Sequence, residues 1–186
     1  SDWDKLMAHL SQKFEKDDIM MNLTSSHDEN AWNGSEYERM GDGTEAFAAL
    51  IYVMPGMPLI YTGQEYDNNR RLKFFEQDPI DKKIGHMFGV YEKLGKLKNT
   101  NTALNGGKKP AAYNRLATSA DASVLAFERV NGKDKVIYIA NLTNEPHAFT
   151  VPVEGSFTNY MSGQKVTFKK GEMFSFRPWE YWVLVK

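Results

Sequence analysis

The chain has 186 residues, enough for one domain of ordinary size or two small ones, and 41% hydrophobic with 25% charged residues is a globular composition, not a disordered one. A formal net charge of -1 leaves no cationic surplus to neutralise phosphates, which excludes nucleic acid as the expected partner. With no cysteine, disulfides and thiolate metal sites are excluded, and no stretch approaches the roughly 18 apolar residues of a membrane span.

The first segment, SDWDKLMAHLSQKFEKDD, predicts a helix, because Trp3, Leu6, Met7, Leu10 and Phe14 recur at spacings of three and four. IMMNLT is a short apolar run whose length favours a buried strand. It stops abruptly in the polar patch SSHDENAWNG. GTEAFAALIYVM is apolar and helix-length and ends at Pro55-Gly56. MPLIYTGQE is a second strand-like run turning polar. DPIDKKIGHMFGVYEKLGKLKNT predicts a longer helix, with Asp78 as N-cap, Pro79 at the first helical position and a stripe of Ile80, Ile84, Phe88, Tyr91 and Leu94. Helices alternating with short apolar strands argue for an α/β unit with a parallel sheet.

After Asn105 the pattern changes. VLAFERV and KVIYIANLT flank Asn131-Gly132, a hairpin signal. HAFTVPV, TNYM, KVTF, MFSF and YWVLV follow as short strands between turn residues, the spacing of an antiparallel sandwich. The expected fold is therefore α/β over residues 1–104 followed by all-β over 105–186.

Both apolar strands end in polar clusters, and in a parallel α/β sheet or barrel the loops at the strands' C-terminal ends build the active site. On that logic His27, Asp28 and Glu29 come from one side of a single mouth, and Gln64, Glu65 and Arg70 or Arg71 from the other. A His-Asp pair after a strand also fits an ordinary turn, since Asp bonds nearby backbone N–H groups. His27 and His86 lie far apart with no HExxH spacing, so no metal site is expected. A nucleophile elbow, a P-loop and a dinucleotide fingerprint are all lacking. Trp179 and Tyr181 would share one strand face, as a sugar platform or as core.

SSHDENAWNG followed by PGMPLIYTGQE closely resembles the α-amylase family of glycoside hydrolases, family 13. There a His-Asp pair closes the seventh strand of a TIM barrel, and a Gly-x-Pro-x-Ile-Tyr-x-Gly-x-Glu pattern, met here by Gly56 to Glu65, runs through the eighth. The resemblance implies that residues 1–104 are an incomplete (β/α)8 barrel segment, its last two strands with their helices. Residues 105–186 would then be the β-sandwich called domain C. It implies that Asp28 is the carboxylate that stabilises the transition state and that His27 binds the same sugar. Glu29, Asn30 and Trp32 would contact flanking sugars on the same loop, and Glu65 would be structural. The implied substrate is starch or a maltooligosaccharide, with α-1,4-glucosidic bonds cleaved by a retaining mechanism.

That mechanism needs two carboxyl groups about 5 Å apart, and the strands that carry them in the family have no counterpart here. A full barrel takes about 250 residues, so the chain is expected to be a C-terminal fragment, inactive alone and prone to self-association through bare sheet edges. No cofactor is expected, and calcium would belong to parent regions outside the chain. The opening residues carry no signal-peptide pattern, although the resemblance points to a periplasmic or extracellular parent. The alternatives are a same-family transglycosylase, a non-catalytic amylase-like subunit and a carbohydrate-binding sandwich.

Overall fold

The first helix begins where its chemistry says it should. In the computed structural model, which describes every residue from Ser1 to Lys186, Ser1 and Asp4 form a capping box at the start of α1 (Asp2–Lys13). The helix stops five residues short of the predicted segment. Only its first turn reaches the sheet: Trp3 Nε1 donates to Tyr113 Oη at 2.7 Å and its ring stacks on Phe127, while Arg115 holds Asp4 at 3.1 Å. Met7, Leu10 and Phe14 line an open groove of about 580 Å³ with Ile19, Met20 and Pro55.

The two apolar runs form β1 (Met21–Leu23) and β2 (Met57–Leu59), paired in parallel as Met21 to Met57 and Leu23 to Leu59. Between them run a π-helical turn (Glu29–Asn33), a short α2 (Glu36–Met40) that periodicity did not reveal, and α3 (Thr44–Val53). Gly56 allows the close return of the chain. Its φ is +117°, and a Cβ there would stand 2.6 Å from the Met20 carbonyl oxygen.

The next helix departs from the sequence reading. α4 spans His86–Thr100, so residues 78–85 are not helical. Asp78 caps nothing; it accepts from Arg70 Nη1 at 2.8 Å and from the Lys73 amide at 2.9 Å. The cap comes from Asp67, whose two carboxylate oxygens accept the His86 and Met87 amides at 2.7 and 2.9 Å. The buried stripe is accordingly Met87, Val90, Tyr91, Leu94 and Leu97, and Ile84 is exposed.

The remaining chain is β-structure. A six-stranded antiparallel sheet has the order β3 (Ala112–Arg115), β4 (Val124–Asn131), β5 (Asp134–Asn141), β10 (Tyr181–Val185), β7 (Gly155–Asn159), β8 (Lys165–Phe168). β6 (His147–Thr150) pairs with β9 (Met173–Phe176) as a separate two-stranded layer. The Asn-Gly hairpin is present as β4–β5, with Asn131 opposite Asp134. β3 was not read from the sequence, and TNYM gives way to β7, which begins three residues earlier and ends two earlier.

Alternation along β4, β5 and β10 buries both faces of this sheet. Leu125, Phe127, Val136, Tyr138, Ala140 and Val183 face α3 and α4 in one core. Val124, Ala126, Ile137, Ile139 and Leu184 face Phe149, Phe176 and their neighbours in the other. The C-terminal aromatics pack inward as well. Trp182 lies against Phe174 and Phe176, Trp179 against Phe47, and Tyr181 Oη donates to Glu45 Oε1 at 2.6 Å. All three are partly buried by these contacts, the core reading of the pair, and they also border an open cleft beside Arg177.

Candidate active-site loop

The loop after β1 is anchored by its polar residues. The Ser26 hydroxyl accepts the Glu29 amide at 3.2 Å and its carbonyl accepts the Asn30 amide at 2.8 Å, which starts a helical turn at the strand's end. His27 and Asp28 occupy the first positions of that turn. The wide π-turn that follows is a geometry frequent at functional sites. His27 Nε2 and Asp28 Oδ2 are 3.5 Å apart, and both side chains are about two-thirds exposed, at 68% and 65%. The Asp28 carboxylate has no other partner, so its oxygens are free to accept hydrogen bonds from a bound molecule.

Glu29 is differently placed. One of its carboxylate oxygens, Oε2, accepts from the Asn33 side-chain amide at 3.1 Å and faces Arg39 of α2 at 3.4 Å. Trp32 is 60% exposed and lies 5.4 Å, centroid to centroid, from Phe74.

The two polar clusters do meet, because β1 and β2 are parallel neighbours. They meet through structural bonds. Gln64 is buried; its Oε1 accepts the Tyr61 amide at 2.6 Å, and its Nε2 donates to Thr24 at 2.8 Å and to the buried Glu36. Glu65 accepts the Gly63 amide at 3.1 Å, closing the turn of its own loop. Burial pushes the Glu36 carboxyl above its ordinary range, against the hydrogen bonds it accepts from Gln64 and from the Thr24 hydroxyl. Gln64 and Glu65 thus join strand ends. Arg70 binds Asp78, drawing that carboxyl down to about 2, and Arg71 binds Glu38. Neither arginine touches Asp28.

Asn30 is not the expected sugar contact, because its side chain is buried and spent on a neighbouring loop, a role that sequence reasoning missed. Asn30, buried at 4% exposure, accepts the Leu72 amide at 2.6 Å and donates to the Arg70 carbonyl at 3.3 Å. It fastens the loop after β2 onto the loop after β1. That loop then presents Phe74 to His27 at 5.3 Å and Phe75 to Phe74 at 4.7 Å. Two adjacent aromatics in a polar loop carry no periodicity, so only the phrase KFFEQD itself could have drawn attention to them.

The architecture so assembled is a parallel strand pair with its helices, carrying a His-Asp loop at one end and backed by an antiparallel sheet. Solved structures of α-amylases share this fold over nearly the whole of the chain. The noncanonic maltogenic alpha-amylase AmyB from Thermotoga neapolitana superposes over 99% of this chain with a TM-score of 0.82 at 15% identity, and 45% of that enzyme is covered. A single-residue variant of AmyP in complex with maltotriose superposes over 98% at a TM-score of 0.71 and 16% identity, with 44% of it covered. In sequence, the alpha-amylase MalA of Haloarcula japonica is 23% identical over 145 residues, 77% of this chain and 21% of that protein. The chain therefore spans about a fifth of the curated relative it matches and less than half of these solved structures. A debranching enzyme and cyclomaltodextrin glucanotransferases share the fold at TM-scores of 0.68–0.69. No protein-family model matches the chain.

Proposed function

We propose that the chain is the C-terminal portion of a retaining, α-glucan-acting glycoside hydrolase of the α-amylase type, and that Asp28 is its transition-state-stabilising carboxylate. The observation that carries this reading is the free, exposed Asp28 carboxylate beside His27 at a parallel strand's end, in a chain with the amylase fold. Asp28 accepts hydrogen bonds from hydroxyls of the sugar being cleaved. These bonds strengthen as the ring distorts towards an oxocarbenium ion, which lowers the barrier rather than merely tightening binding. His27 contacts the same ring, and Glu29 and Trp32 border its neighbours.

Retaining hydrolysis also requires a nucleophile and an acid/base about 5 Å apart. Of the loop's two carboxylates, Glu29 is engaged with Asn33 and Arg39, so Asp28 stands alone. The chain by itself is expected to be inactive, with both missing groups supplied by the rest of the enzyme. The same machinery serves transglycosylation when a sugar replaces water as acceptor. Glucanotransferases with this fold keep that second reading in play.

The test is Asp28→Asn in the intact enzyme, with maltoheptaose as substrate. An exposed isosteric change leaves the melting temperature in place, and kcat is expected to fall by about 100-fold or more, the scale of losing one transition-state contact. An unchanged kcat would remove Asp28 from the role. Turnover of maltoheptaose by residues 1–186 alone would overturn the assignment of the missing carboxylates to another part of the protein.

A further inference from the structure

We infer that Phe75, with Phe74 and Trp32, forms an aromatic shelf that binds a glucose ring next to the one held by Asp28 and His27. The inference rests on the function proposed above and extends its site to a second loop. Four rings form a continuous series across two loops: Trp32 and His27 each lie against Phe74, at 5.4 and 5.3 Å, and Phe75 meets Phe74 edge-on at 4.7 Å. Phe75 is 86% exposed, the most open large apolar side chain in the chain. An isolated exposed apolar residue needs no explanation, but contiguous ones mark binding surfaces.

The loop under this surface is also anchored. Asn30 fixes the backbone at Arg70 and Leu72, and Asp78 ties the Arg70 side chain to the Lys73 amide. Arg71 grips Glu38, and Lys73 pairs with Glu76. The residues immediately before and after the two phenylalanines are thus restrained while their rings face outward. An anchored loop loses less freedom than a free one when a ligand arrives.

The chemistry selects the occupant. A pyranose presents C–H groups on its faces and hydroxyls at its rim, so it can lie on an aromatic ring while its rim bonds polar neighbours. His27 and Asp28, at one end of the shelf, hold the adjoining ring of the same chain. Binding energy gained there, away from the bond being broken, aligns the substrate at Asp28, so longer substrates gain more from it.

The test compares wild-type enzyme with Phe75→Ala and Phe75→Tyr on maltotriose, maltopentaose and maltoheptaose. Phe75→Ala is expected to lower kcat/KM by an amount that grows with chain length, reaching about tenfold on maltoheptaose, while Phe75→Tyr, which keeps the ring, stays within about threefold of wild type. A loss equal at all lengths, no loss, or a tyrosine variant as poor as alanine would overturn the shelf. With wild type active and Asp28→Asn impaired, those outcomes leave the Asp28 reading standing. A wild type inert on all three substrates overturns both.

Discussion

Two cations near the junction of helix and sheet show how single residues carry their cost. Arg129, 1% exposed, has no carboxylate partner; its guanidinium donates to the carbonyls of Val53, Asn105, Ala111 and Ala112. Only a planar fork of donors satisfies four carbonyls at once, and Val53 O lies at the electron-rich end of α3. Lys98 donates to the Gly56 carbonyl at 2.8 Å. Burial, and then repulsion from Arg129, push its ammonium from 10.5 down to about 8. Between those values the folded chain has released a proton that the unfolded chain keeps. Stability therefore rises with pH through that window and is lowest below pH 8 on this group's account. Buried tyrosines such as Tyr138 shift upward and act in the opposite sense above about pH 10. The comparison thus belongs at pH 7 and about 9.5. Lys98→Met keeps the stem's packing and removes the charge. Urea midpoints should rise between these two pH values in wild type and rise less in the variant. At pH 7 the variant should match or exceed wild type, by on the order of 1–2 kcal/mol. A larger pH response in the variant would contradict the assignment.

At the scale of elements, α4 is the instructive case. Its local signals, Asp78 and Pro79, serve a loop, while the carboxylate that caps it lies 19 residues before its first residue. Asp67 reaches the helix from a left-handed backbone conformation, φ 54°, and Gly85 makes room, since a Cβ there would stand 1.8 Å from Asp67 Oδ2. Asp67→Ala removes both acceptors and should cost about 1–2 kcal/mol, with faster amide hydrogen exchange at His86 and Met87. Asp67→Asn keeps one acceptor and a residue tolerant of positive φ, so it should lose less. The same contrast sets what the sequence made legible. Elements specified by local pattern were readable: Asn131-Gly132 gave the hairpin, and the strand-end grammar gave β1, β2 and the polar loops after them. Features made by contacts between distant residues were not. Asp67 on α4, Asn30 on the loop after β2, and the short π-turn under Trp32 leave no periodic trace. Phe74 and Phe75 are therefore part of the site only once Asn30 has brought their loop alongside His27.

The whole molecule divides unevenly. Its two cores share one sheet: helices α3 and α4 cover one face and the β6–β9 pair the other. Tyr138 Oη reaches the Ala46 carbonyl at 2.7 Å across that first core, so helix and sheet are joined by a buried bond as well as by packing. The parallel pair β1–β2 is the exception. It has only two strands of three residues each, and parallel sheets are ordinarily covered on both faces. Here Ile19, Met21 and Met57 are 51%, 59% and 54% exposed. The outer backbone groups of both strands have no ladder partner. An open edge flanked by apolar side chains is a template for pairing with another chain. The isolated 186-residue chain is therefore expected to self-associate through this pair. Light scattering across a concentration series should give a mass that climbs above the monomer. The double substitution Met21→Lys, Met57→Lys should return it towards the monomer without altering the far-ultraviolet circular dichroism, because both side chains point away from the two cores and lysine blunts a strand edge. A wild-type chain monomeric at every concentration would show that the exposed pair is too short and too twisted to recruit a partner strand.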